Sequence, residues 1–159
     1  MNGLDGFVPL AAAAPLLVWA AIGDLRHLRI PNWLVLGLAA VFVLAAPSLP
    51  LQEIGLRLLA AALVFLLCAA LFHWQVLAGG DVKMMGAAML FVPSPALISF
   101  GWSFSAAMIA VVIAAAALRV RRPAAAEGWA VVRAPGSMPM GAAISLALML
   151  LPAVWLYAG

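Results

Sequence analysis

Asp24 and Asp81 are the residues in this chain best placed to do chemistry. They are two of only five acidic groups in a 159-residue sequence that is 69% hydrophobic. Each sits where an apolar run meets a short polar break: Gly23-Asp24-Leu25-Arg26-His27-Leu28-Arg29-Ile30-Pro31-Asn32 in one case, Ala78-Gly79-Gly80-Asp81-Val82-Lys83 in the other. A carboxylate in or beside hydrocarbon is costly and usually has a task. Two carboxylates a few ångströms apart resist double ionisation, so one pKa rises and a state with one ionised and one protonated group becomes available. That state suits hydrolysis: one carboxylate takes a proton from water while the other protonates the carbonyl oxygen under attack.

The elements that must position them are membrane helices. Mean hydropathy is +1.22, and 8% of residues are charged where a soluble domain has about 25%. Six apolar segments run approximately Phe7–Ile22, Asn32–Ala46, Ile54–Leu77, Val82–Val92, Pro95–Leu118 and Met138–Tyr157. The expected fold is therefore all-α, a polytopic membrane protein of about six transmembrane helices in one domain over residues 1–159. The fourth segment is the weakest: its 11 residues rise only about 16 Å as a helix against a hydrocarbon core about 30 Å thick.

Positive charge sets the orientation. With the N-terminus outside and the helices alternating, the inner loops hold Arg26, Arg29, Lys83, Arg119, Arg121, Arg122 and Arg133, seven of the eight Lys/Arg residues. Both termini then lie outside, and only Arg57, beside Glu53, stays on the outer side, where its long side chain is expected to snorkel. Asp24 and Asp81 fall on the same, inner face. Asp5 and Glu53 fall outside, and Glu127 lies in the inner loop Arg119–Ser137, which reads as a piece lying at the interface beside the site. A net charge of +3 is thus a matter of topology and contact with the lipid bilayer, and gives no sign of nucleic-acid binding. The single Cys68 reads as a small buried hydrophobe, and no Cys/His set has metal-site spacing. No metal or cofactor is expected.

The neighbours of the aspartates are candidate site-shaping residues. Gly79 and Gly80 permit tight turns and close backbone approach. Pro31 suits the first turn of a restarting helix, and Asn32 can hydrogen-bond in the loop or start that helix. Lys83 is placed to neutralise charge near the pair or to meet lipid phosphate. Gly101/Ser105 and Gly141/Ser145 have the small-xxx-small spacing that lets helices approach. Each aspartate also has a plainer explanation: Asp81 as a helix N-cap, Asp24 as an interfacial partner of Arg26 or His27.

With these motifs in order, the chain resembles the prepilin peptidases, or type IV leader peptidases. That family pairs an aspartate shortly before Ile-Pro-Asn, here Asp24 and Ile30-Pro31-Asn32, with a second in Gly-x-Gly-Asp-x-Lys, here Ala78-Gly79-Gly80-Asp81-Val82-Lys83. A Pro-Tyr-Gly element appears as Pro139-Met140-Gly141, without the tyrosine. The resemblance implies that Asp24 and Asp81 are a catalytic pair and that Pro139 and Gly141 belong to the site. The implied activity is removal of the leader from a prepilin at the cytoplasmic face of the inner membrane, with pilus-assembly machinery as a further partner. The chain looks like the short, peptidase-only form that serves tight-adherence (Flp-type) pili, with archaeal preflagellin peptidases as near relatives. No separate methyltransferase domain or methylating activity is expected. The rival readings are a small proton-coupled transporter or channel subunit, whose carboxylates would lie near mid-membrane, and a non-catalytic assembly protein whose aspartates only cap helices.

Overall fold

In the computed structural model, residues 5–121, 126, 128–134 and 138–158 are described, and among them the chain is helical with no strand. Among the described residues seven α-helices follow in order: α1 (Val8–His27), α2 (Asn32–Ala45), α3 (Leu51–His73), α4 (Gly79–Met89), α5 (Leu97–Arg121), α6 (Ala130–Arg133) and α7 (Met140–Ala158). Short 3₁₀ turns at Asp5–Phe7, Ala46–Ser48 and Ser94–Ala96 lead into or out of them. Arg122 and Glu127 lie outside the described residues.

The six apolar segments correspond to α1–α5 and α7. Among the described residues, four stretches are long and apolar enough to cross a bilayer: Val8–His27, Leu51–His73, Ser94–Arg121 and Met140–Tyr157. The chain is a membrane protein. Asn32–Ser48 is apolar but shorter, and α4 is shorter still.

Burial explains how an 11-residue helix can be stable there. Val82 and every residue from Met84 to Met89 are buried, because α4 is packed against α2, α3 and α7. It therefore needs no length to meet water at both ends. Its small residues allow this closeness. A Cβ on Gly86 would come within 3.1–3.2 Å of Phe65 Cδ2 and Cβ, tighter than ordinary contact, so a methyl group there would force the α3–α4 seam to give by a few tenths of an ångström. Gly86→Ala is expected to lower stability by about 1–3 kcal/mol through overpacking, visible as a lower melting temperature in detergent.

The helices form a bundle with two dissimilar ends. At one end the start of α1, the second turn of α3, the end of α4 and the turn before α5 meet around a single guanidinium. Arg57 is 1% exposed. Its Nε donates to Glu53 Oε1 at 2.9 Å, Nη2 to the Gly6 carbonyl at 2.8 Å and Nη1 to the Leu90 carbonyl at 3.4 Å. Glu53 in turn accepts from the Ser94 amide at 2.8 Å and the Ser94 hydroxyl at 2.6 Å. The expectation that Arg57 snorkels to the surface is therefore wrong. A charge with one carboxylate and two carbonyls around it can remain inside.

The other end gathers the end of α1 and the starts of α2, α4 and α7. There Lys83 Nζ donates to Asn32 Oδ1 at 3.0 Å, tying α4 to α2. Helix α6 docks beside this end. Arg119 Nε donates to the Val131 carbonyl at 2.8 Å, Val131 is fully buried, and the Arg26 guanidinium lies 5.4 Å from the centre of the Trp129 ring. The Arg119–Ser137 stretch thus holds a short helix beside the site. Of the two small-xxx-small pairs only one serves packing. Gly141 and Ser145 are buried, whereas Gly101 has open space around it. The bond joining α5 to α7 comes instead from the Ser103 hydroxyl to the Ala147 carbonyl, at 2.6 Å.

Candidate active site

Asp24 belongs to the last turn of α1. The sequence alone suggests that the apolar segment stops at Ile22, but the helix runs on through Gly23, Asp24, Leu25 and Arg26 to His27. It ends at Leu28, which adopts the left-handed conformation (φ 51°) and donates its amide to the Asp24 carbonyl at 2.7 Å. Glycine usually fills such a position, and a leucine there costs about 1–2 kcal/mol. What this turn achieves is a sharp reversal that lays Ile30 against α4 and α7. A Cβ on Gly80 would lie 3.6 Å from Ile30 Cβ, and one on Gly141 would lie 2.7 Å from Ile30 Cδ1. Pro31 follows in extended conformation (ψ 143°), immediately before the first helical residue of α2 rather than within its first turn.

Asp81 is the third residue of α4, after Gly79 and Gly80. Neither glycine forms a turn. Both are helical and at negative φ, and the space they leave is taken by Ile30 above Gly80 and by the Phe72 ring, 3.5 Å from a Cβ on Gly79. Ala78 is the N-cap, with φ −81°, so the alanine in place of a glycine carries no strain. Asp81 is not the N-cap itself: Ala78 occupies that position, and Asp81, in the first turn of α4, reaches back to the Ala78 amide.

The interfacial pairing of Asp24 with Arg26 or His27 is not what forms. Arg26 lies over Trp129, and His27 Nδ1 is 3.2 Å from the Gly23 carbonyl oxygen. Asp24 points inward, 4% exposed, and its Oδ2 accepts the Ala142 amide at 3.0 Å. The donor lies in the first turn of α7, so an N-terminal helix dipole is directed at this carboxylate. The contact requires close approach. Gly141 sits where a Cβ would come within 3.1 Å of Asp24 Cγ and Oδ2. Pro139, buried one residue before α7, starts that turn.

Both aspartates line one open cavity of about 1180 Å³, together with Ile30, Asn32, Trp33 and Met138. That volume exceeds an ordinary small-molecule pocket and is large enough for a stretch of peptide. Its cationic wall is Arg26 and Arg29. Burial first, and the charge of Asp24 second, push the Asp81 carboxyl up to about 6, against an opposing backbone hydrogen bond at Ala78. The charge of Asp24 is therefore felt at Asp81, which favours a state with one ionised and one protonated carboxyl. Among the described residues, no three His, Cys, Asp or Glu side chains are grouped as a metal site would need.

Of the residues singled out in the sequence, Asp24, Asp81, Gly80, Pro31 and Asn32 border this cavity. Gly141 packs on Asp24, and Lys83 acts through Asn32 instead of facing the pair. Gly79 and Pro139 stand behind the lining. The Ala142 amide, which carries no side-chain signature, escaped the sequence reading, and Ile30 entered it only as part of Ile-Pro-Asn, whereas its side chain lies between Gly80 of α4 and Gly141 of α7. The family model described as the type IV leader peptidase family matches residues 11–118, a stretch that contains both aspartates. No curated protein matches the chain, and no solved structure does.

Proposed function

Because the chain belongs to the type IV leader peptidase family, we propose that it is an aspartic endopeptidase in which Asp24 and Asp81 activate one water against the leader–pilin bond. The observation that carries this reading is that both carboxylates face one cavity, with the charge of Asp24 felt at Asp81. In the reactive state one carboxyl is ionised and the other protonated. The ionised group removes a proton from water as its oxygen adds to the scissile carbonyl carbon. The protonated group gives its proton to the carbonyl oxygen. Collapse of the tetrahedral adduct then returns a proton to the leaving amine, and the pair is restored. The Ala142 amide keeps Asp24 aimed into the cavity, while Lys83, Asn32 and Pro31 fix the start of α2 beside α4. Gly79, Gly80, Pro139 and Gly141 keep the junction narrow.

In this proposal residues 1–159 act as a single membrane domain with six helices in the bilayer and both termini outside. Every described Lys or Arg except Arg57 belongs to the aspartate end of the bundle, which supports an active site facing the cytoplasm across the inner membrane. The substrate is a short Flp-type prepilin with a basic leader and one hydrophobic helix, and the pilus-assembly machinery receives the product. A proton relay is the less favoured reading, because both carboxylates lie in end turns of their helices and not at mid-length.

Co-expression in a membrane background lacking leader peptidases tests this directly. A Flp-type prepilin should shift to mature length, with an archaeal-type preflagellin run beside it as the rival substrate. Both precursors remaining full-length beside well-inserted enzyme would overturn the reading. The pH dependence gives a separate expectation. Deprotonation of the second carboxyl ends the reactive state, so kcat/KM should fall about tenfold per pH unit above an apparent pKa at or above about 6. A flat profile from about pH 5 to 9 would count against a shared proton.

A further inference from the structure

We propose that Arg57 is a positioning residue for the aspartate pair: its guanidinium ties the far end of the helix bearing Asp24 to the far end of the helix bearing Asp81. Gly6 lies two residues before α1, and Leu90 is the C-cap of α4. Arg57 Nη2 and Nη1 donate to the carbonyls of these two residues, at 2.8 and 3.4 Å. Its third donor is spent on Glu53, which holds Ser94 by two bonds. Gly6 also packs on Pro93, 3.4 Å from where a Cβ would stand. The start of α1, the second turn of α3, the end of α4 and the approach to α5 thus share one buried node.

The geometry gives this node a specific consequence. Helices are stiff along their axes, so fixing one end of α1 and of α4 fixes how far each projects at the other. At the opposite end the loop residue Ile30 lies against Gly80, and α7 packs on both helices. Axial slip of α4 by a fraction of a turn would carry Asp81 away from Asp24 without unfolding either helix. A lysine cannot substitute. Its compact ammonium pairs with Glu53 but lacks the planar fork that reaches two carbonyls at once. The functional consequence rests on the peptidase reading; the positional claim does not.

A disulfide reporter separates the two. A Cβ at Gly80 would lie 3.6 Å from Ile30 Cβ, within the range of about 3.5–4.5 Å in which a disulfide closes. In full-length protein carrying Cys68→Ala, the pair Ile30→Cys and Gly80→Cys should oxidise readily in membranes, scored by protection from maleimide labelling. Adding Arg57→Lys or Arg57→Met should lower the oxidised fraction about threefold or more at equal membrane abundance. In otherwise unmodified enzyme, Arg57→Lys should lower kcat about tenfold while KM stays within about twofold, as expected when a catalytic group is displaced and the substrate contacts are kept. An unchanged oxidised fraction overturns the proposal. So does loss of both variants from the membrane, which would make the node a folding element only. Failure of the parent enzyme to cleave prepilin would remove the peptidase reading and leave the disulfide result standing.

Discussion

A prepilin co-expressed with the Asp24→Asn variant should remain at precursor length, with cleavage reduced about 10³-fold or more. Asparagine keeps the shape of the side chain and an oxygen able to accept the Ala142 amide, the bond Asp24 makes at 3.0 Å. It loses only the ability to hold a negative charge or exchange a proton. Asp81→Asn should fall as far, for the same reason, and neither change should disturb insertion. The double variant should be no worse than either single one, because a two-group device fails completely when one member is lost. Equal protein levels on immunoblots, with residual cleavage compared over long incubation, decide the matter. Cleavage that survives both single substitutions would remove these carboxylates from the mechanism.

The second large effect comes from a residue with no side chain. Gly141→Ala places a methyl group 2.7 Å from Ile30 Cδ1 and 3.1 Å from the Asp24 carboxylate. The isoleucine methyl can swing aside. The carboxylate cannot retreat without stretching its bond to Ala142. A shift of several tenths of an ångström at a reacting group approaches the displacement that costs about 100-fold in rate. Gly141→Ala is accordingly expected to lower kcat about 100-fold with a small change in KM, and Gly141→Val to abolish turnover. Combining Gly141→Ala with Ile30→Ala relieves the shorter contact and leaves the other, so activity should not return. Recovery in that double variant would show that crowding against Ile30, not the displaced carboxylate, was responsible.

What could be read from the sequence followed from one-dimensional signals. Apolar runs gave the helices. The sidedness of Arg26, Arg29, Lys83 and Arg119 gave a common end for Asp24 and Asp81, and spacing around both aspartates gave the family. What stayed hidden depended on contacts between distant positions. Arg57 looked like a helix-end cation bound for water because its acceptors at Gly6 and Leu90 lie 51 and 33 residues away. The polar string after Ile22 resembled a loop, yet its residues extend a helix whose last turn is stabilised by packing beside α7. Gly79 and Gly80 suggested turns because glycine is permissive, whereas their use here is to let Ile30 and Phe72 lie close. The orientation of Asp24 by a main-chain amide is marked in residue identity only by the glycine beside it, Gly141.

The peptide group that steadies Asp24 comes from α7, which begins beyond residue 118, where the family match ends. A hybrid built by grafting a foreign last helix onto residues 1–118 would carry both acids and still be inert unless the graft supplied a bare backbone at the equivalent of Gly141. On the peptidase reading, the stretch beyond the matched span decides whether the matched span can work.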